Sequence, residues 1–307
     1  MSASGSPQIS TVILPVHPWS QGRAVWERAE QLGFGTAYTY DHLSWRTFRD
    51  GPWFGAVPLL TAAAVATTTL RLGTLVTSPN FREPVTLAKD LMTLDDVSGG
   101  RVTLGIGAGT SSGFDATVLG GPAWPLRERT ERFEEFVELL DRLLTTPAVT
   151  SDGTYYSAHE ARTIPGCVQS PRLPFVVAGN GPRGMRLAAR HGQGWVTTGA
   201  PGLPDDASPV ASSDAVAAQV ARLREVTSHD GPEVAGGDAA RDPLRTVLLT
   251  GFTPDPWFAS ADAFDDALGR YAEAGIDEVV LHWPLPGTQF DVDVDVFEDA
   301  VTRHRGA

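Results

Sequence analysis

Apolar and polar positions repeat in two alternating patterns along this chain. A short run rich in β-branched residues is followed by a stretch whose apolar positions recur at three- and four-residue steps. The clearest unit lies at residues 70–109. Apolar runs at 70–76 and 102–106 flank a helical pattern that opens at Pro84 and stops at Gly99-Gly100. Two parallel strands joined by a crossover helix read this way. Both runs give way to Gly, Ser, Thr and Pro. Exposed backbone therefore sits at the C-terminal strand ends, where α/β folds bind ligands.

The same alternation extends over the whole chain. Strands are predicted at 9–16, 36–40, 70–76, 102–106, 174–178, 194–198, 244–250 and 276–282. Helices are predicted at 23–31, 57–66, from Pro84 onward, and at 127–144, 183–190, 215–226, 261–274 and 294–304. The helix at 127–144 has the plainest stripe, with Phe133, Phe136, Val137, Leu140, Leu143 and Leu144 on one face. Eight strand–helix pairs predict an α/β fold, a (β/α)8 TIM barrel, as a single domain over residues 1–307. Irregular segments at 146–172, 199–211 and 228–242 read as loop insertions in that domain.

Composition narrows the function. A chain of 307 residues can bury a full barrel core, and its formal net charge of -13 argues against nucleic acid and anionic membranes. Cys167 is the one cysteine, so no internal disulfide forms, which fits a reducing cytoplasm. No apolar run approaches the roughly 18–20 residues of a spanning helix, and residues 1–10 lack the pattern of a signal peptide. A cytoplasmic protein with a small-molecule substrate is expected.

Several residue groups carry chemistry. Gly105-Ile106-Gly107-Ala108-Gly109 follows a strand but does not open a helix, so a Rossmann fingerprint is excluded. Tight barrel exit and close approach of a flat cofactor both explain those glycines. At Gly179-Asn180-Gly181-Pro182-Arg183 a strand ends, Pro182 takes a first helical position and an arginine follows. Free N–H groups at a helix start bind phosphate; an ordinary turn explains the same residues. His17, His42 and His282 end the first, second and eighth strands. With Asp41 they would make a zinc set for a metal-dependent hydrolase. A single working histidine, His42, fits better, so no metal is expected. Trp19, Trp45, Trp53 and Trp283 fall at or after strand ends and are expected to line a substrate pocket.

With these segments in view, the chain resembles the bacterial-luciferase-like oxidoreductases, (β/α)8 proteins that use FMN or the deazaflavin coenzyme F420. The resemblance implies a catalytic group of His42, Asp41 and Trp45, with His42 facing the reactive ring. It places Leu75, Val76 and Thr77 in a strand-three bulge against the ring, with a non-proline cis peptide at Leu75–Val76. Gly107, Ala108 and Gly109 would border the ring and its side chain. Gly179, Asn180, Gly181, Pro182 and Arg183 would hold the phosphate.

The resemblance also shows departures. Deazaflavin-dependent sugar-phosphate dehydrogenases of this kind carry a glutamate after the strand-four glycines, where Thr110 stands here. Leu75 is bulkier than the small residue of many relatives. No segment matches the long lid insertion of the luciferases. Two chemistries fit: hydride transfer with the deazaflavin, or monooxygenation by reduced FMN, which needs a separate flavin reductase because the chain has no reductase domain. A non-catalytic flavin-binding barrel is the alternative of another class. A homodimer is expected by analogy with the family.

Overall fold

The computed structural model describes residues 6–204, 206–229 and 243–306. Strands β1 (Gln8–Val12), β2 (Thr36–Thr39), β3 (Arg71–Thr77) and β4 (Val102–Gly107) alternate with helices α1 (Trp19–Leu32), α2 (Ala56–Ala66) and α3 (Pro84–Ser98). After α4 (Leu126–Thr145) come strands β5 (Ala148–Asp152) and β6 (Ser157–Arg162). The alternation resumes with β7 (Phe175–Ala178), α5 (Pro182–His191), β8 (Gly194–Thr197) and α6 (Pro209–His229). It closes with β9 (Arg245–Leu249), α7 (Ala261–Glu273), β10 (Glu278–His282) and α8 (Val294–Gly306). Eight strands form a closed barrel in the order β1-β2-β3-β4-β7-β8-β9-β10, with β10 paired in parallel to β1. The (β/α)8 expectation holds.

Strand periodicity of two divides the core into two layers. Val12, Tyr38, Leu75, Val176, Val196, Val247 and Val280 fill the barrel interior. Ile9, Ala37, Leu72, Val177, Leu248 and Val279 face outward onto the helices. The six residues predicted for the stripe of α4 are all buried.

The segment at 146–172 differs from its expectation. It contains the antiparallel hairpin β5–β6, which pairs outside the barrel. Val149 and Ala158 are the buried members of otherwise solvent-facing strands, so the hydrophobic signal was too thin to mark them. The Glu135 carboxylate of α4 secures the turn by accepting the Tyr155 and Tyr156 amides at 2.9 and 2.7 Å. The expected insertion at 228–242 lies largely outside the described residues.

Candidate active site at the barrel mouth

The two-residue period carries Tyr38, Tyr40 and His42 to the interior side of β2 and its exit, and Val280 and His282 to the interior side of β10. Their rings meet at the C-terminal mouth. Tyr40 lies edge-on to His42 at 5.8 Å, to Trp45 at 5.1 Å and to His282 at 5.8 Å. Phe290 stacks on His282 at 3.7 Å and on Trp45 at 6.3 Å. The Tyr40 hydroxyl and His282 Nε2 are 2.9 Å apart. Burial pushes His282 down to about 3 against a weaker opposing interaction with the Thr250 backbone, and burial also raises Tyr40. Both groups are therefore neutral near pH 7, and His282 forms part of an apolar wall.

His42 has a different setting. Its Nδ1 lies 2.5 Å from Asp115 Oδ2, and the other oxygen, Oδ1, accepts the Leu43 amide at 2.9 Å. Asp115 is almost fully buried, whereas the His42 ring is partly open to solvent. Trp53 Nε1 donates to the His42 carbonyl at 2.7 Å, which fixes the backbone of the same residue.

Asp41 is tied elsewhere. Arg82 reaches it with two donors, Nη2 to Oδ1 at 2.6 Å and Nε to Oδ2 at 3.0 Å. Thr77 Oγ1 adds a third donor at 2.9 Å. Burial works against the Arg82 charge, but the Asp41 carboxylate outweighs it and holds Arg82 above the ordinary arginine value. Asp41 is thus an anchor between the exits of β2 and β3, and the catalytic role expected of it does not fit its contacts.

The Leu75–Val76 peptide is cis, and the β3–β4 register shifts between Thr74 and Thr77. Gly105 lets this bulge lean on β4, because a Cβ there would lie 2.1 Å from the Thr74 carbonyl oxygen. Gly109 has φ +71, and a Cβ on it would collide with Asn80. Asn80 clamps the next residue, accepting the Thr110 amide at 2.9 Å and donating to its carbonyl at 3.2 Å. The β4 exit is held in place with its backbone bare.

At the β7 exit, Gly179 and Gly184 touch backbone to backbone, so the turn lies flat against the start of α5. No side chain caps that helix, and the space beside the Gly181 Cα is open. The amides of Arg183 and Gly184 are thereby available to an anion. The Arg183 side chain points away from this task. Its guanidinium pairs with both carboxylate oxygens of Glu134 on α4.

Two expected pocket residues lie elsewhere. Trp19 starts α1, and its ring packs between α1 and α2 beside Pro58 and Ala62. Trp283 follows His282 by one residue, so the strand period turns it outward onto Phe34 and Phe297. Trp45 and Trp53 do line the mouth. Among the described residues no cluster of three or more His, Cys, Asp or Glu side chains is arranged to hold a metal. His42 is engaged by Asp115 and His282 by Tyr40.

A family model described as luciferase-like monooxygenase matches residues 3–240. The chain belongs to that family. A similar protein is the F420-dependent glucose-6-phosphate dehydrogenase of Beutenbergia cavernae, 35% identical over 291 residues, spanning 83% of this chain and 85% of that one. Solved structures give the same barrel. An F420-dependent secondary alcohol dehydrogenase in complex with an F420–acetone adduct aligns over 97% of this chain and all of its own, with TM-score 0.75 and 20% identity. The coenzyme F420 dependent tetrahydromethanopterin reductase from Methanopyrus kandleri aligns over 97% of both chains, with TM-score 0.71 and 19% identity. The protein is an oxidoreductase of the luciferase-like type. No helix of the described residues is long and apolar enough to cross a membrane.

Proposed function

We propose that the protein moves a hydride between the deazaflavin coenzyme F420 and a small hydroxyl or carbonyl compound, with His42 as the acid–base group. The observation that carries this reading is the His42–Asp115 pair beside the aromatic wall. Relatives named as F420-dependent, 35% and 40% identical over the aligned residues, support the choice of cofactor. The mouth fits a flat anionic cofactor. Bare backbone at 107–109 and the bulge at Leu75 and Val76 would flank its ring, and the uncapped start of α5 would take its phosphate.

Bound there, the deazaflavin would supply a two-electron centre that takes or gives a hydride. The chain's own residues do the rest. An ionised carboxylate only accepts hydrogen bonds, so Asp115 fixes the proton of His42 on Nδ1 and leaves Nε2 with its lone pair. Nε2 takes the proton of a substrate hydroxyl as its carbon is oxidised, and returns it in the reverse direction. The imidazolium so formed faces the Asp115 carboxylate. Trp45, Tyr40 and Phe290 keep water from the reacting carbon. This chemistry dispenses with a separate flavin reductase, and a lone cysteine suits a cytoplasmic setting.

Two measurements test the reading. Fluorescence titration with F420 and with FMN is expected to give tight binding of F420 alone; selective binding of FMN would overturn it. His42→Ala is expected to leave cofactor affinity within a few fold while turnover falls by about 10²–10⁴. Unchanged turnover removes His42 from the mechanism.

A further inference from the structure

We propose that the cavity between the β9 and β10 exits takes the apolar body of an uncharged alcohol or its carbonyl product, and that sugar phosphates are not substrates. The inference rests on the oxidoreductase reading above and concerns what that site accepts.

The distribution of charge carries it. The segments that follow β8, β9 and β10 at the mouth, residues 198–208, 250–260 and 283–293, contain no lysine and no arginine. The single lysine of the chain, Lys89, is on α3. The cations at the mouth are contributed by the segments after β2 and β3, and each is already engaged. Arg82 is held by Asp41, Arg46 lies over the rings of Trp45 and Phe252, and Arg49 lies over Phe114.

The cavity itself has a volume of about 420 Å³, within the range of small-molecule pockets. Asp255, Asp291 and Asp293 contribute to its lining and no cation does. These carboxylates are committed to the fold. Asp255 binds Arg270 at 2.9 Å and the Tyr271 hydroxyl at 2.6 Å; Asp291 accepts the Gly287 amide and Asp293 the Asp295 amide. A phosphate monoester, with a charge near −2, would meet no cation in the lining and would face the carboxylates of Asp291 and Asp293.

The remaining wall is apolar, formed by Trp257, Phe258, Phe290 and Val292. Trp257 is 5% exposed, and its indole Nε1 has no hydrogen-bond partner among the described residues. A buried donor of this kind is completed by a ligand acceptor such as a hydroxyl or carbonyl oxygen. The cavity shares His282 and Phe290 with the ring wall around Tyr40, so its occupant borders the His42 site.

The test uses the full chain without added cofactor, titrated with cyclohexanol, cyclohexanone, glucose 6-phosphate and inorganic phosphate. Tryptophan fluorescence and thermal stability are the readouts. Saturable binding of both six-membered rings is expected, with no saturable response to either phosphate compound. Trp257→Phe removes the donor and leaves a smaller aromatic ring, and is expected to weaken ring binding several-fold, with the melting temperature of the free protein lowered by the lost packing on Phe264 and Tyr271. Saturable binding of glucose 6-phosphate overturns the proposal, as does failure of both rings to bind. Selective FMN binding in the separate cofactor titration overturns the cofactor reading instead and leaves these ligand results standing.

Discussion

Asp115 reaches His42 across 73 positions of chain, from the long loop between β4 and α4. A carboxylate on Nδ1 matters because it decides which nitrogen is left to work. Asp115→Asn keeps the shape but offers an amide that can accept or donate, so the proton is free to move to Nε2. Steady-state kinetics are expected to show kcat lower by about 10²–10⁴ with KM nearly unchanged, and Asp115→Glu recovering part of the loss. An equal fall in thermal stability for both variants would mark Asp115 as structural only. In the sequence His42 and Trp45 were legible from their place after the second strand. Asp115 was not, although it is the one charged residue between positions 108 and 125. Its partner is chosen by the closed barrel, which no local pattern reports. The same holds for Arg82, whose hold on Asp41 makes an anchor of a residue expected in the catalytic group. The expectation for Trp283 failed for a simpler reason, since one step along a strand reverses the face.

Among the elements, β3 and β4 lie within one residue of the predicted ranges because buried parallel strands are continuous apolar runs. The first strand is shorter than the apolar run at 9–16 predicts. It ends at Val12, before a segment that contains Pro15 and Pro18, and Pro18 then precedes α1, which starts at Trp19. Asp95 of α3 is buried and holds the Gln169 amide and side chain, a contact its acidic neighbour Asp96 gives no sign of in the sequence. The exit of β4 depends on one glycine. Gly109→Ala places a Cβ at a positive φ and against Asn80, so urea unfolding is expected to show a loss of about 1–3 kcal/mol. The displaced Thr110 backbone is expected to weaken F420 binding in the same variant, read by fluorescence titration.

At the scale of the whole molecule, a neutral histidine sealed in the barrel links fold stability to pH. The value for His282 falls from an ordinary 6.5 to about 3 on burial. Between those values the unfolded chain binds a proton that the folded chain does not. The contribution is therefore complete above about pH 6.5 and is lost as pH falls toward 3, at up to about 1.4 kcal/mol per pH unit. His282→Gln is expected to flatten this part of the profile, seen as a smaller loss of stability from pH 6.5 to about 5 in urea titrations. Equal slopes for the two proteins would mean that His282 titrates normally. The pairing of Arg183 with Glu134 has a bearing on cofactor capture at varying ionic strength. Added salt screens the attraction of an arginine for phosphate, but it also loosens this exposed ion pair and releases the arginine. The two effects oppose each other, so the cofactor's Kd is expected to rise less steeply with ionic strength in the parent protein than in Glu134→Gln, as read by fluorescence titration over a salt series.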